Sequence, residues 1–322
     1  MDPILSLVNL SKEMSVAPHL TQGAGGNTSV KDGIEMYVKA SGFRLDEVGH
    51  KKGFVKVSYL PVVDYLQKSI GNVTADSDLK KFVNKHIIGE KNFLPSIETG
   101  FHAVLDKFVI HTHPIAVNQL LCCVEGPQII AQIFKNIDHV IIPFVNPGYY
   151  LSKAITDLLP TIPAVIFLQN HGLIVHASSE KEALELHQKV IDLLPPLESD
   201  FTFKLLEKSE NSYELLNSQL KDINIDLLKN TFFPDQAVVI GQNFQFDSIN
   251  TEATKLNLSI SGKYVINASY KEALAILENL IALKSIYDFS ILNKLTLLPI
   301  PIEDIAYILG MDMEKYRQEL LK

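Results

Sequence analysis

In the stretch VIHTHP, Val109 to Pro114, two histidines stand one residue apart behind β-branched neighbours. Side chains at i and i+2 of a strand point to the same face, roughly 7 Å apart along the backbone. Two imidazoles at that spacing can converge on one cation of the zinc type, with metal–nitrogen bonds of about 2.0–2.1 Å. Taken alone, the pair reads equally well as two half-buried histidines with satisfied rings. Two further residues weigh against that. His171 stands in an Asn170-His171-Gly172 turn between two apolar runs, where a chain built only for packing has little use for an imidazole. Glu98 stands in PSIETGFHAVL, two residues past Ser96, which reads as a helix cap, and ahead of the strand that carries the pair. By itself Glu98 is a first-turn acid favoured by the helix dipole. Together His111, His113, His171 and Glu98 supply three neutral ligands and one carboxylate, the composition of an open catalytic metal site.

A second constellation is GAGGNTSVKDG, Gly23 to Gly33. Glycines ahead of Asn27, Thr28 and Ser29 free the backbone to expose amide N–H groups in a nest that suits phosphate. The GK[ST] ending of a Walker loop is absent and GxGxxG does not fit, so alone the stretch reads more readily as a plain glycine turn between helix and strand than as a phosphate nest. KASG, Lys39 to Gly42, follows the next strand and adds a hydroxyl at Ser41, the Gly42 amide and a cationic side chain.

These residues need elements to hold them. IEMYVKAS, FVKVSY, FVIHTH and HVIIPFV have strand character, and AVIFLQNHGLIVHA reads as two strands around the histidine turn. LPVVDYLQKSI, PIAVNQLLCC and ETGFHAVLDKF read as helices, the last of about three turns. Ser179 and Glu182 stand in capping-box spacing at the start of a helix that runs to Pro195-Pro196. Helices among strands make this a layered α/β domain, assigned to residues 1–199. Residues 200–232, charged and polar, read as a helical linker, and 233–322 as a smaller C-terminal α/β domain. In the latter, DQAVVIG and KYVINA read as strands, SYKEALAILENLIALKSIY as a helix, and two short helical segments follow.

The 322 residues are 47% hydrophobic and 20% charged, which supports a sizeable core. A net charge of -8 without a Lys/Arg stripe argues against nucleic acid and for a small-molecule partner. Cys122 and Cys123 are adjacent, so they read as apolar core residues and not as a disulfide. The N-terminus has no basic region ahead of an apolar one, and no apolar run reaches the ~18 residues of a membrane span. A soluble, cytoplasmic protein is expected.

GGNTS, KASG, PSIET, HTHP and NHG, in this order and spacing, resemble the class II aldolase/adducin family over roughly residues 1–195, closest to its sugar-phosphate branch. Within that branch the likeness extends to the aldolase portion of rhamnulose-phosphate aldolase/dehydrogenases. No dinucleotide fingerprint follows residue 200, so a dehydrogenase activity is not implied. The resemblance implies a three-layer α/β/α fold and a homo-oligomer, a tetramer favoured, with sites at subunit interfaces. It implies that His111, His113 and His171 bind Zn2+ or another divalent cation. Glu98 becomes the catalytic acid/base, also able to ligate the metal, and Gly26, Asn27, Ser41, Gly42 and Ser96 become the substrate-phosphate loop. The reaction implied is cleavage of a ketose phosphate through a metal-stabilised enediolate. Epimerisation, dehydration or decarboxylation of a sugar phosphate or sugar acid, or a non-catalytic adducin-like module, are the alternatives. One departure matters: Ile97 stands where phosphate-binding relatives carry a second serine, with Lys39 as a candidate to compensate. No position matches the family's catalytic tyrosine or its C-terminal lid. Residues beyond about 200 are expected to form a structural cap at the aldolase domain or a subunit contact, without catalytic residues. The competing reading is a lid in which Tyr264 or Lys263 completes the pocket.

Overall fold

The chain order begins α1 (Pro3–Ser15), β1 (Asn27–Asp32), β2 (Glu35–Lys39), β3 (Phe54–Ser58), α2 (Leu60–Lys68), α3 (Ala75–Lys85), α4 (Thr99–Val104) and β4 (Phe108–Thr112). It continues with α5 (Ile115–Leu121), α6 (Gly126–Ile133), β5 (His139–Ile142), α7 (Tyr149–Thr156), β6 (Val165–Leu168), β7 (Gly172–Ala177) and α8 (Glu180–Leu193). The computed structural model describes residues 2–72, 74–197, 204–216, 220, 223, 225–241, 244–246, 256–258, 264–312, 315 and 319. The seven strands form one sheet in the order β3-β2-β1-β4-β7-β6-β5, antiparallel except for the β5–β6 pair.

β4 is the middle strand and is buried along its length. Its period of two splits its side chains between two cores. Phe108 and Ile110 pack with Leu7, Leu10 and Ala183 of α1 and α8. Val109 packs on the opposite face with Phe101 of α4 and Leu151 of α7, and His111 meets the Phe101 ring edge-on, centroids 5.5 Å apart. Helices thus cover both faces, the expected three-layer α/β/α arrangement. The capping box at α8 also forms: Ser179 Oγ accepts from Glu182 N, and Glu182 accepts from Ser179 N.

The second part holds β8 (Lys204–Ser209), β9 (Ser212–Leu216), α9 (Ile225–Lys229), α10 (Pro234–Val239), β10 (Phe244–Phe246), β11 (Leu256–Leu258), β12 (Tyr264–Asn267), α11 (Tyr270–Asn293) and α12 (Ile302–Gly310). Its described strands form a sheet in the order β10-β11-β12-β9-β8. Three expectations are corrected. The helical linker expected over 200–232 contains an antiparallel hairpin, β8–β9, turned at Asn211 with φ 56°. Asparagine tolerates that left-handed backbone, and Tyr213 and Leu215 alternate inward with period two. DQAVVIG is helix α10, not a strand: Pro234 starts it, and the Gln236 side chain turns back to accept from Phe232 N at 2.9 Å. Helix α4 is six residues long, because the chain from Leu105 extends and gives the Lys107 carbonyl to Lys31 N of β1. Of the two short helices expected at the end, α12 is one, and most residues after 312 lie outside the described set.

Helix α11 is buried over most of its length, with Glu272, Glu278 and Asn279 buried among its apolar residues. One apolar cluster joins Ala275, Ile276 and Leu280 of α11 to Ile115 and Cys122 at α5. The strand-like stretch after α11 pairs with the same region, Val124 N donating to Thr296 O and Leu298 N to Cys122 O. Cys122 and Cys123 are free and buried, as expected. No described helix is long and apolar enough to cross a membrane.

Candidate metal centre

Pairing in the sheet brings the motifs together. Asn27 of β1 lies opposite His111 of β4, and Thr112 opposite Leu173 of β7. His113 stands one residue past the strand, its N–H donating to Leu20 O at 2.9 Å. The β6–β7 turn presents His171. Asn170 takes a left-handed φ of 54° there, and its side-chain amide donates to Phe232 O and Leu298 O at 2.9 and 2.7 Å. Gly172 is required beside it, because a Cβ would collide with the Thr112 carbonyl.

The three imidazoles are buried, and one ligand atom from each lies within 4.8 Å of the others. His111 Nδ1 faces the Leu173 carbonyl at 3.0 Å, and His113 Nδ1 faces Asp235 Oδ2 at 2.6 Å. Both partners accept, so each Nδ1 carries the proton and each Nε2 presents a lone pair. Those two Nε2 atoms are 3.0 Å apart. Glu98 Oε2 stands 3.4 Å from His111 Nε2, and Oε1 stands 3.2 Å from His171 Nε2. Among the described residues Glu98 Oε1 has no hydrogen-bond partner of good geometry. In that tautomer the Nε2 atoms of His111 and His113 and the Glu98 carboxylate are acceptors around one buried point beside His171, an arrangement that a divalent cation fits.

Burial would raise the Glu98 carboxyl, but the charges of His111 and His171 outweigh it and hold it well below the usual carboxylate range. For His111 in the metal-free site burial is likewise outweighed, by the Glu98 charge and the Leu173 carbonyl, so its imidazole is raised, and a bound cation would take the place of the proton at Nε2. Burial wins at His113, which is pushed down to about 4 despite Asp235.

Glu98 is the N-cap residue of α4, one position earlier than the expected first turn. Its N–H donates to Ser96 Oγ at 3.2 Å, and its Oε2 accepts from Asn27 Nδ2 at 2.7 Å. Asn27 is itself held by His102 of α4. The Asn27 Oδ1 acceptor fixes His102 Nε2 as donor, and His102 Nδ1 then accepts from Ser29 Oγ at 2.7 Å. His102 had a signal in sequence: it follows Glu98 by four residues, one helical turn.

Gly26, Asn27, Lys39, Ser41, Gly42, Ser96 and Ile97 all line the cavity that contains Glu98, His113 and His171. The expected loop residues are therefore together beside the histidines. Lys39 has a different posture from the one expected of a hydroxyl substitute: its ammonium donates to Ala24 O at 3.2 Å and Phe43 O at 2.5 Å, tying the two loops. Ile97 leaves an apolar wall.

Pro234 and Asp235 also line this cavity, so the part beyond 200, expected to form a cap without catalytic residues, contributes side chains to the cavity wall. Tyr264 does not reach it, since its hydroxyl donates to Leu220 O in the second core. Lys263 lies outside the described residues. Asp235 was hidden in sequence by the apolar run around it. An acid between Pro234 and AVVI was the only mark.

Residues 6–193 match the family described as Class II Aldolase and Adducin N-terminal domain. A Bacillus subtilis protein named as the uncharacterized oxidoreductase YuxG is 31% identical over 188 residues, 54% of this chain. The match covers 26% of that relative, so the chain spans about a quarter of its length. Among solved structures, the N-terminal class II aldolase domain of a conserved protein from Thermoplasma acidophilum is 27% identical. It aligns with a TM-score of 0.54 over 60% of this chain and 92% of that one. A sugar-phosphate aldolase from Thermotoga maritima, 15% identical, aligns with a TM-score of 0.44 over 60% of this chain and 91% of its own.

Proposed function

Because the chain belongs to the class II aldolase and adducin family, we propose that it is a zinc-dependent aldehyde-lyase that cleaves a ketose phosphate. The observation that carries this reading is the convergence of His111, His113, His171 and Glu98 at one buried point beside a glycine loop. When bound by the three imidazoles, a divalent cation supplies Lewis-acid polarisation of a carbonyl and compensates negative charge developing beside it.

The chain's own residues do the rest. Asn27 holds Glu98 Oε2, while Oε1, without a hydrogen-bond partner of good geometry among the described residues, is the oxygen that carries the proton to or from the substrate carbon left negative by C–C cleavage. Burial of the cluster keeps water from that carbon. Gly26, Asn27, Ser41, Gly42 and Ser96, which line the cavity, take the substrate's anionic end. Assembly as a homo-oligomer, a tetramer favoured, follows from the motif resemblance.

One observation favours a second reading. Ile97 supplies no hydroxyl and Lys39 is engaged by two carbonyls, so the anion subsite is poorer than a phosphate site with two serines. A sugar acid undergoing epimerisation, dehydration or decarboxylation suits such a site. Incubating the zinc-loaded protein with a panel of phosphorylated ketoses and sugar acids, with products resolved by NMR, separates the two. Release of an aldehyde and a ketone phosphate is expected. Turnover confined to sugar acids would overturn the aldolase reading.

A further inference from the structure

Asp235 comes from α10, outside the residues that match the family, yet its carboxylate reaches a proposed metal ligand. We propose that Asp235 is a positioning residue for the metal centre, fixing His113 so that its Nε2 faces the cation. The inference rests on the reading of the three histidines as a metal site.

The geometry is specific. Asp235 Oδ2 lies 2.6 Å from His113 Nδ1, and Asp235 is 1% exposed. A carboxylate only accepts, so it selects the Nδ1–H tautomer and leaves Nε2 free to ligate. An acceptor at Nδ1 also raises the basicity of the ligand. The sequence makes room for this contact at Gly25, where a Cβ would collide with the carboxylate. It also anchors the helix that carries Asp235. Gln236 accepts from Phe232 N at 2.9 Å and donates to Asn230 O at 2.6 Å. Ile300 N donates to Thr231 O at 2.7 Å. The same Phe232 carbonyl accepts from Asn170, in the turn that presents His171. Two of the three imidazoles are thus braced from beyond residue 230.

The test is zinc affinity of the full chain at pH 7.5, measured by competition with a chromophoric chelator for wild type, Asp235→Asn and Asp235→Ala. Loss of an outer partner of a metal-bound histidine typically weakens binding by about 10–100-fold. We expect that loss in Asp235→Asn. In the metal-free protein, long-range proton–nitrogen NMR is expected to show the Nδ1–H tautomer of His113, with the Nε2–H form appearing in Asp235→Asn. A merely structural role predicts no tautomer change. In a His113→Ala background, Asp235→Asn is expected to have no further effect on zinc. Wild-type zinc affinity in Asp235→Asn with an unchanged tautomer overturns the inference and leaves the metal site standing. Failure of the wild type itself to bind zinc overturns both.

Discussion

At the scale of single residues, Glu98 is where position and charge meet. The neighbouring imidazoles keep it ionised despite burial, and Asn27 fixes one of its oxygens. Glu98→Gln keeps the shape and the contact with Asn27 while removing the proton carrier. Turnover on the identified substrate is expected to fall about 10²–10⁴-fold, with substrate affinity within a few-fold of wild type. Steady-state and single-turnover kinetics check it, and full activity in the variant would falsify the acid/base role. The residues of this centre were largely legible in sequence. HxH places two imidazoles on one face of a strand by period alone, and an imidazole in a tight apolar turn is conspicuous. Lys39 was legible as a nearby cation but not in its posture, because the carbonyls that engage it belong to separate loops. The contact made by Asp235 was not legible. The contact with His113 spans 122 positions, and no local pattern encodes it.

Single elements show the same division. Elements with a clear period or cap, such as β4, α8 and α11, appear where the sequence puts them. QAVVIG does not, since a short apolar run fits a buried helix and a buried strand equally. The β8–β9 hairpin was obscured by its Lys and Glu residues, although SYELL carries the alternation of a strand. How an element secures the site is measurable at α8. His187 Nε2 meets Thr112 Oγ1 of β4 at 2.8 Å, directly between the two histidines of HTH. Burial pushes the His187 imidazole down to about 4. In the unfolded chain an imidazole titrates near 6.5, so between these values the unfolded state binds more protons and stability falls as pH falls. That contribution is fully present above about pH 6.5 and is lost as pH drops toward 4. It amounts to about 2 kcal/mol between pH 7.5 and 5. Urea unfolding at both pH values is expected to show a shallower dependence for His187→Gln by about this amount. Identical pH slopes would mean that His187 is not buried neutral.

For the whole molecule, the question is whether the part beyond residue 200 is an appendage or a working partner of the sheet domain. Shared burial at α5 and α11 argues for the second, and so does a polar tie at the glycine loop. The Arg44 guanidinium meets both oxygens of Glu278 on α11, at 3.0 and 2.9 Å, in a fork-to-fork pair. Glu278 Oε2 also accepts from Gly23 N at 2.6 Å. The loop that lines the candidate site is therefore fastened from the far half of the chain. Such a pair gains little over an apolar isostere, because both charges lose water. Breaking it from one side is different, since Glu278 is 5% exposed and would be left buried without its guanidinium partner. Arg44→Ala is expected to lower the unfolding free energy by about 3 kcal/mol. That is the low end of the range for buried pairs, because a fifth of the Arg44 side chain reaches water. Adding Glu278→Gln removes the stranded charge and retains an acceptor for Gly23, so the double variant is expected to be more stable than Arg44→Ala alone. A double-mutant cycle by urea unfolding reads the coupling directly. Additive single effects, or an Arg44→Ala variant within about 0.5 kcal/mol of wild type, would mean that the two halves are not tied at the glycine loop.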